Sequence, residues 1–135
     1  MIGTETVQLR HVEPGGDAHI DWMLSHDEHS LLVTIKLKDR LEALEAGSRM
    51  TGIFLGDHRR RYLTYEGPLS DGRGEVSRVA SGRLLRWVRN GDNWWITVHW
   101  DDGPLQHLQV TIEAESASGA SCEITAHQDL SGAEG

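Results

Sequence analysis

Residues 90–104, Asn90-Gly91-Asp92-Asn93-Trp94-Trp95-Ile96-Thr97-Val98-His99-Trp100-Asp101-Asp102-Gly103-Pro104, hold one β-rich run between two glycine-bearing turn signals. Similar short runs lie on both sides. Strands are expected over 75–80, 83–89, 94–101, 106–113 and 121–127, with Ser81-Gly82 and Ala117-Ser118-Gly119 as the outer breaks. Short strands at even spacing with such turns predict a barrel or a sandwich. Trp87, Trp94, Trp95 and Trp100 supply bulky filling. Adjacent strand residues face opposite ways, so Trp94 and Trp95 divide between inside and outside. The outward one either stacks on a nucleic-acid base or packs under a loop.

The first half of the chain holds further strand candidates. Residues 4–11 alternate weakly, with Val7, Leu9 and His11 on one face, and end at Pro14-Gly15-Gly16. That turn signal predicts a hairpin to a strand over 18–25. Residues 31–37 and 50–55 read as further strands. Between them, residues 38–46 hold good helix formers, with Leu41 and Leu44 three apart and Gly47 as a stop, which predicts one short helix. The expected fold is all-β, a small closed or partly closed β-barrel of about eight strands with one short helix. Residues 1–127 form its single domain, and residues 128–135 have the composition of a flexible C-terminal tail.

The chain of 135 residues has room for one core, and its single cysteine, Cys122, excludes an internal disulfide framework and a Cys-rich zinc site. A small core residue is the expected role of Cys122. The N-terminus lacks the basic start and apolar run of an export signal, and no segment has the apolar length of a membrane span. A cytoplasmic protein with no membrane partner is expected. The net charge of −8 counts against nucleic acid as a partner. Its distribution argues the other way: from Arg49 to Arg89 nine arginines stand against four acids, a local charge of +5.

Two stretches carry chemistry. Ala18-His19-Ile20-Asp21-Trp22-Met23-Leu24 alternates strictly, so Ile20, Trp22 and Leu24 share a core face while His19, Asp21 and Met23 share the other. Residues two apart on one face lie about 7 Å apart, which lets an imidazole and a carboxylate converge on one cation; the alternative is a solvated face. His11 lies near His19 across the predicted hairpin. The second stretch runs from His58 through Arg59, Arg60 and Arg61 to Tyr62 and Tyr65, and is either a phosphate site or a solvated basic loop. His26-Asp27-Glu28-His29 leaves a similar choice between a metal site and a solvated turn. No phosphate-cradling glycine loop and no local nucleophile motif is present.

Three pieces in order resemble the 3′-phosphoesterase domain of bacterial DNA ligase D and the small stand-alone proteins related to it. They are Leu9-Arg10-His11 with His19-Ile20-Asp21; residues 31–37; and Asp57-His58, Tyr62 and Tyr65-Glu66-Gly67-Pro68 with Gly72-Arg73-Gly74 behind. The resemblance covers residues 7–75. It implies a small β-barrel holding a divalent metal, typically Mn²⁺, that removes 3′-phosphate or 3′-ribonucleotide from nucleic-acid 3′ ends in DNA repair, with a repair ligase or polymerase as a possible partner. By position, His11, His19 and Asp21 match the metal ligands, and His58 and Tyr62 match residues that contact the phosphate or assist its departure.

Two departures stand out. Met23 occupies the place of the family's phosphate-clamping arginine, and the interval from His11 to His19 is longer than the usual pattern. Arg49, Arg59, Arg60 and Arg61 are the candidates to supply the missing charge, with Lys36 a further candidate for the same anion site. The competing expectation is a catalytically degenerate barrel that keeps the metal, or binds nucleic acid, without turnover.

Overall fold

The chain runs through nine strands: β1 Thr4–Val12, β2 Ala18–Leu24, β3 Val33–Leu37, β4 Arg49–Phe54, β5 Gly67–Pro68, β6 Glu75–Asn90, β7 Asn93–Trp100, β8 Leu105–Ser116 and β9 Gly119–His127. The computed structural model describes residues 4–116 and 119–129, so positions 117–118 of the expected last turn and 130–135 of the expected tail lie outside the described residues. The sheet order is β1-β2-β3-β4-β9-β8-β7-β6-β5, and β1 also pairs with β6. That last pairing closes an eight-stranded barrel and leaves β5 appended to β6. Closure leaves none of the eight strands with an unpaired edge. Among the described residues no helix is long and apolar enough to cross a membrane.

The alternation of β2 divides the molecule into two apolar layers. Ile20, Trp22 and Leu24 point into the barrel and pack with Ile35, Leu37, Ile96, Val98, Leu108, Val110 and Ile124. Met23 points outward into a second cluster with Val7, Leu9, Leu32, Tyr62, Leu63 and Val76. That outer cluster exists because the segment after β4 folds back across β1 and β2, fastened by paired backbone hydrogen bonds between Leu32 and His58. Cys122 is fully buried in the inner layer, and burial pushes its thiol up to about 12. Trp94 faces inward against Phe54 and Trp87, whereas the half-buried Trp95 packs beside His127 outside.

The short helix expected over 38–46 does not form; only a 3₁₀ turn over Leu41–Ala43 does. Local propensity loses to the barrel. Gln8 accepts a hydrogen bond from the Leu41 backbone N–H at 2.7 Å, and Gln106 donates to the carbonyls of Leu41 and Leu44. These groups would otherwise belong to a helix that is marginal at such length. Leu41 thereby enters the core with no exposed surface.

The break expected at Ser81-Gly82 is also absent, because β6 runs unbroken through sixteen residues. It pairs with β1 over its first part and with β7 over its second, and irregularities opposite Gln8/Leu9 and at Leu84/Arg86 let it bend between them. Gly82 serves close approach: a Cβ there would lie 2.6 Å from the His99 carbonyl oxygen. Gly82→Ala is expected to cost about 1–3 kcal/mol by overpacking. A lowered urea midpoint at unchanged m checks this.

The His26–Ser30 region is a solvated turn. Asp27 Oδ1 accepts from the His29 and Ser30 backbone N–H groups, and Oδ2 accepts from the Ser30 hydroxyl. These bonds hold the Asp27 carboxyl down at about 2, against an ordinary 3.8. Its ionised form is favoured by folding, so the stabilisation is complete above 3.8 and is lost as pH falls through about 2. The His29 and Ser30 amide signals are expected to titrate with a midpoint near 2 rather than 3.8.

Candidate metal centre

The hairpin of β1 and β2 sets His11 opposite His19 and Leu9 opposite Asp21. All four face outward, at the margin of the outer apolar cluster. The side chains of His11, His19 and Asp21 form the single group among the described residues able to hold a metal ion, with ligand atoms within 4.8 Å of one another. Their side-chain exposures of 17, 11 and 5% leave an approach from solvent mainly along the two imidazoles.

Each oxygen of Asp21 faces a different ring. Oδ1 lies 2.9 Å from His19 Nε2, and Oδ2 lies 3.6 Å from His11 Nδ1. The close pair is not aligned as a hydrogen bond, and both of its atoms are buried without any other partner. Buried polar atoms in native proteins are generally satisfied, so two buried atoms 2.9 Å apart with no hydrogen bond leave room in the chemistry for a third participant. A divalent cation fits that donor set of two imidazoles and a carboxylate.

His11 is oriented by a second contact. Its Nε2 lies 2.8 Å from the carbonyl oxygen of Arg73, which can only accept, so the ring donates there and leaves Nδ1 toward Asp21. Gly74 makes this approach possible. It adopts φ +98°, and a Cβ would fall 2.0 Å from the Val12 carbonyl oxygen. In the sequence Gly72-Arg73-Gly74 belongs only to the family resemblance, and the two flanking glycines are the one signal there of the Arg73 carbonyl contact.

The remaining candidates divide. Tyr62 is buried in the same outer cluster as Met23, and the His58 ring stands edge-on to it at 5.9 Å. His58 Nδ1 lies 2.7 Å from the Gly56 carbonyl oxygen and therefore donates there. Arg60 is committed to structure: its Nη1 donates to Ser25 Oγ and to the carbonyls of Asp27 and Ser30, pinning the turn before β3. Arg61 lies over the Tyr65 ring at 4.3 Å. Arg59 is exposed and makes no ion pair among the described residues. Lys36 is the cross-strand neighbour of Asp21. Arg49 sits apart, four residues along β4 from the Lys36 partner Ile53, or about 13 Å at the rise of a strand. It is paired with Glu123 at 3.3 Å.

No protein-family model matches the chain, and the search among curated proteins finds no match.

Proposed function

We propose that this protein is a metal-dependent phosphoesterase acting on the 3′ ends of nucleic acid, removing 3′-phosphate or 3′-ribonucleotide during DNA repair. The observation that carries the reading is the convergence of buried His19 Nε2 and Asp21 Oδ1 at 2.9 Å without hydrogen-bond alignment. The resemblance of residues 7–75 to the 3′-phosphoesterase domain of DNA ligase D supplies the reaction class. It also makes manganese the expected ion, the cytoplasm the expected compartment and a repair ligase or polymerase the expected partner.

His11, His19 and Asp21 are the residues that would hold the ion. Bound there, a divalent cation supplies Lewis-acid polarisation of a phosphoryl oxygen. The chain contributes the rest. With Nδ1 donating to Gly56, His58 keeps Nε2 for a proton exchanged with the departing oxygen. The Tyr62 hydroxyl, Arg59 and Arg61 are the groups beside His58 suited to hold phosphate oxygens by charge-assisted hydrogen bonds. Lys36, the cross-strand neighbour of Asp21, offers a further cation.

A second reading, a barrel that keeps the metal without turnover, is favoured by one observation. Met23 stands where the family's arginine would clamp phosphate, and its side chain is 1% exposed. Release of inorganic phosphate from a 3′-phosphorylated primer, with and without Mn²⁺, separates the two. Mn²⁺-dependent release supports the phosphoesterase; metal binding without release supports the inactive module.

A further inference from the structure

Two rows of outward side chains leave the metal cluster and cross the barrel wall. One passes from Asp21 to Lys36, Ile53 and Ser121, which are paired strand to strand through β2, β3, β4 and β9. The other, two residues along each strand, starts at His19 and continues past the end of β3 through Lys38 to Thr51. Between the rows lies a groove of about 500 Å³ whose lining includes His19, Lys36, Lys38, Thr51, Ile53 and Ser121. His19 belongs to both groove and cluster, so the two adjoin. Two smaller hollows, one beside Arg10 and one beside Met50, also open on to Lys38.

The charge of this groove is one-sided. No aspartate or glutamate lines it, and its two cations, Lys36 and Lys38, make no ion pair or side-chain hydrogen bond among the described residues. Its volume is that of a small-molecule site, and Ile53, 36% exposed, gives it an apolar floor. The arginine-rich loop, by contrast, is partly committed, Arg60 to three oxygens of the preceding turn and Arg61 to an aromatic face. Neighbouring strands are about 4.8 Å apart, so the two lysines start one strand beyond His19 and Asp21, within one nucleotide's reach of a phosphate bound at the cluster.

We infer that this groove binds the nucleotide on the 5′ side of the reacting 3′ end, with Lys36 and Lys38 on the next phosphodiester and the base or sugar against Ile53. The inference rests on the phosphoesterase reading for its orientation. It assigns the track of the nucleic-acid strand to β2, β3 and β4 and makes Lys38 and Ile53 determinants of preference for a polynucleotide over a lone nucleoside 3′-phosphate.

Fluorescence anisotropy with 5′-labelled hexathymidylate carrying a 3′-phosphate, at low salt and without added metal, tests the groove apart from turnover. Lys38→Glu is expected to weaken binding at least about tenfold and to lower the magnitude of the log–log salt slope by about one. Ile53→Asp is expected to weaken binding by a similar factor, while Arg89→Glu, on the exposed β6–β7 hairpin, stays within about twofold of wild type. Binding by Lys38→Glu within twofold of wild type overturns the inference, as does an equal loss in Arg89→Glu. The two readings fail separately. Lys38-dependent binding in a protein that takes up no Mn²⁺ removes the phosphoesterase and keeps the groove. Mn²⁺-dependent phosphate release from the same oligonucleotide with unaltered KM in Lys38→Glu removes the groove and keeps the phosphoesterase.

Discussion

Asp21→Asn is expected to lower divalent-metal affinity by roughly 100-fold or more, since even changes to the groups behind a ligand cost 10–100-fold. Asp21 is 4% exposed, and its two oxygens divide between the imidazoles, at 2.9 Å from His19 Nε2 and 3.6 Å from His11 Nδ1. An amide keeps the shape but turns a nitrogen toward one of those rings and removes the only negative charge in the cluster. Thermal denaturation reads the loss without a substrate. At a Mn²⁺ concentration about 100 times the wild-type dissociation constant, the wild type gains about 2.7 kcal/mol of stability by mass action, and Asp21→Asn gains about 0.4 kcal/mol or less. The same Mn²⁺-induced rise in Tm in both proteins would remove Asp21 from the site. Any Mn²⁺-dependent phosphate release is expected to vanish with the binding.

Met23→Arg is expected to destabilise the fold by about 3 kcal/mol or more rather than to restore a phosphate clamp, because a buried charge without a partner carries that order of cost. Met23 packs among Val7, Leu9, Leu32, Tyr62 and Leu63 in the layer between the barrel wall and the returning segment. A guanidinium there must either lose its solvation or push Tyr62 and Leu63 off β2. The second outcome also displaces His58, whose ring rests against Tyr62. Chemical denaturation reads the stability and phosphate release reads the function. Wild-type stability together with a large gain in release would mean that the outer layer opens readily at Met23, contrary to its 1% exposure.

The two faces of β2 were legible because side-chain direction on a strand follows from sequence alone. Ile20, Trp22 and Leu24 had to oppose His19, Asp21 and Met23, and the hairpin at Pro14-Gly15-Gly16 had to bring His11 to His19. The meander was legible for the same reason, as runs of strand-forming residues between glycine turns. What escaped depends on contacts far apart in the chain. Gln8 and Gln106 were ordinary strand residues by pattern, yet they hold the Leu41–Ala43 turn over the barrel interior in place of a helix. Ser81-Gly82 has turn composition, but the glycine answers to the His99 backbone across the β6–β7 pair. Arg60 illustrates the limit for function: a run of arginines beside His58 suggests phosphate, and only the position of Ser25, Asp27 and Ser30 reveals that the middle one is already occupied. The second apolar layer was illegible too, since it requires knowing that residues after β4 fold back over Met23.

Calorimetric titration of Mn²⁺ into the wild-type protein tests the central claim most directly, because the convergence of His11, His19 and Asp21 predicts a bound ion whether or not turnover follows. The account predicts one saturable site per chain, lost in His19→Ala. Titration without saturable heat, or the same affinity in His19→Ala, would contradict it.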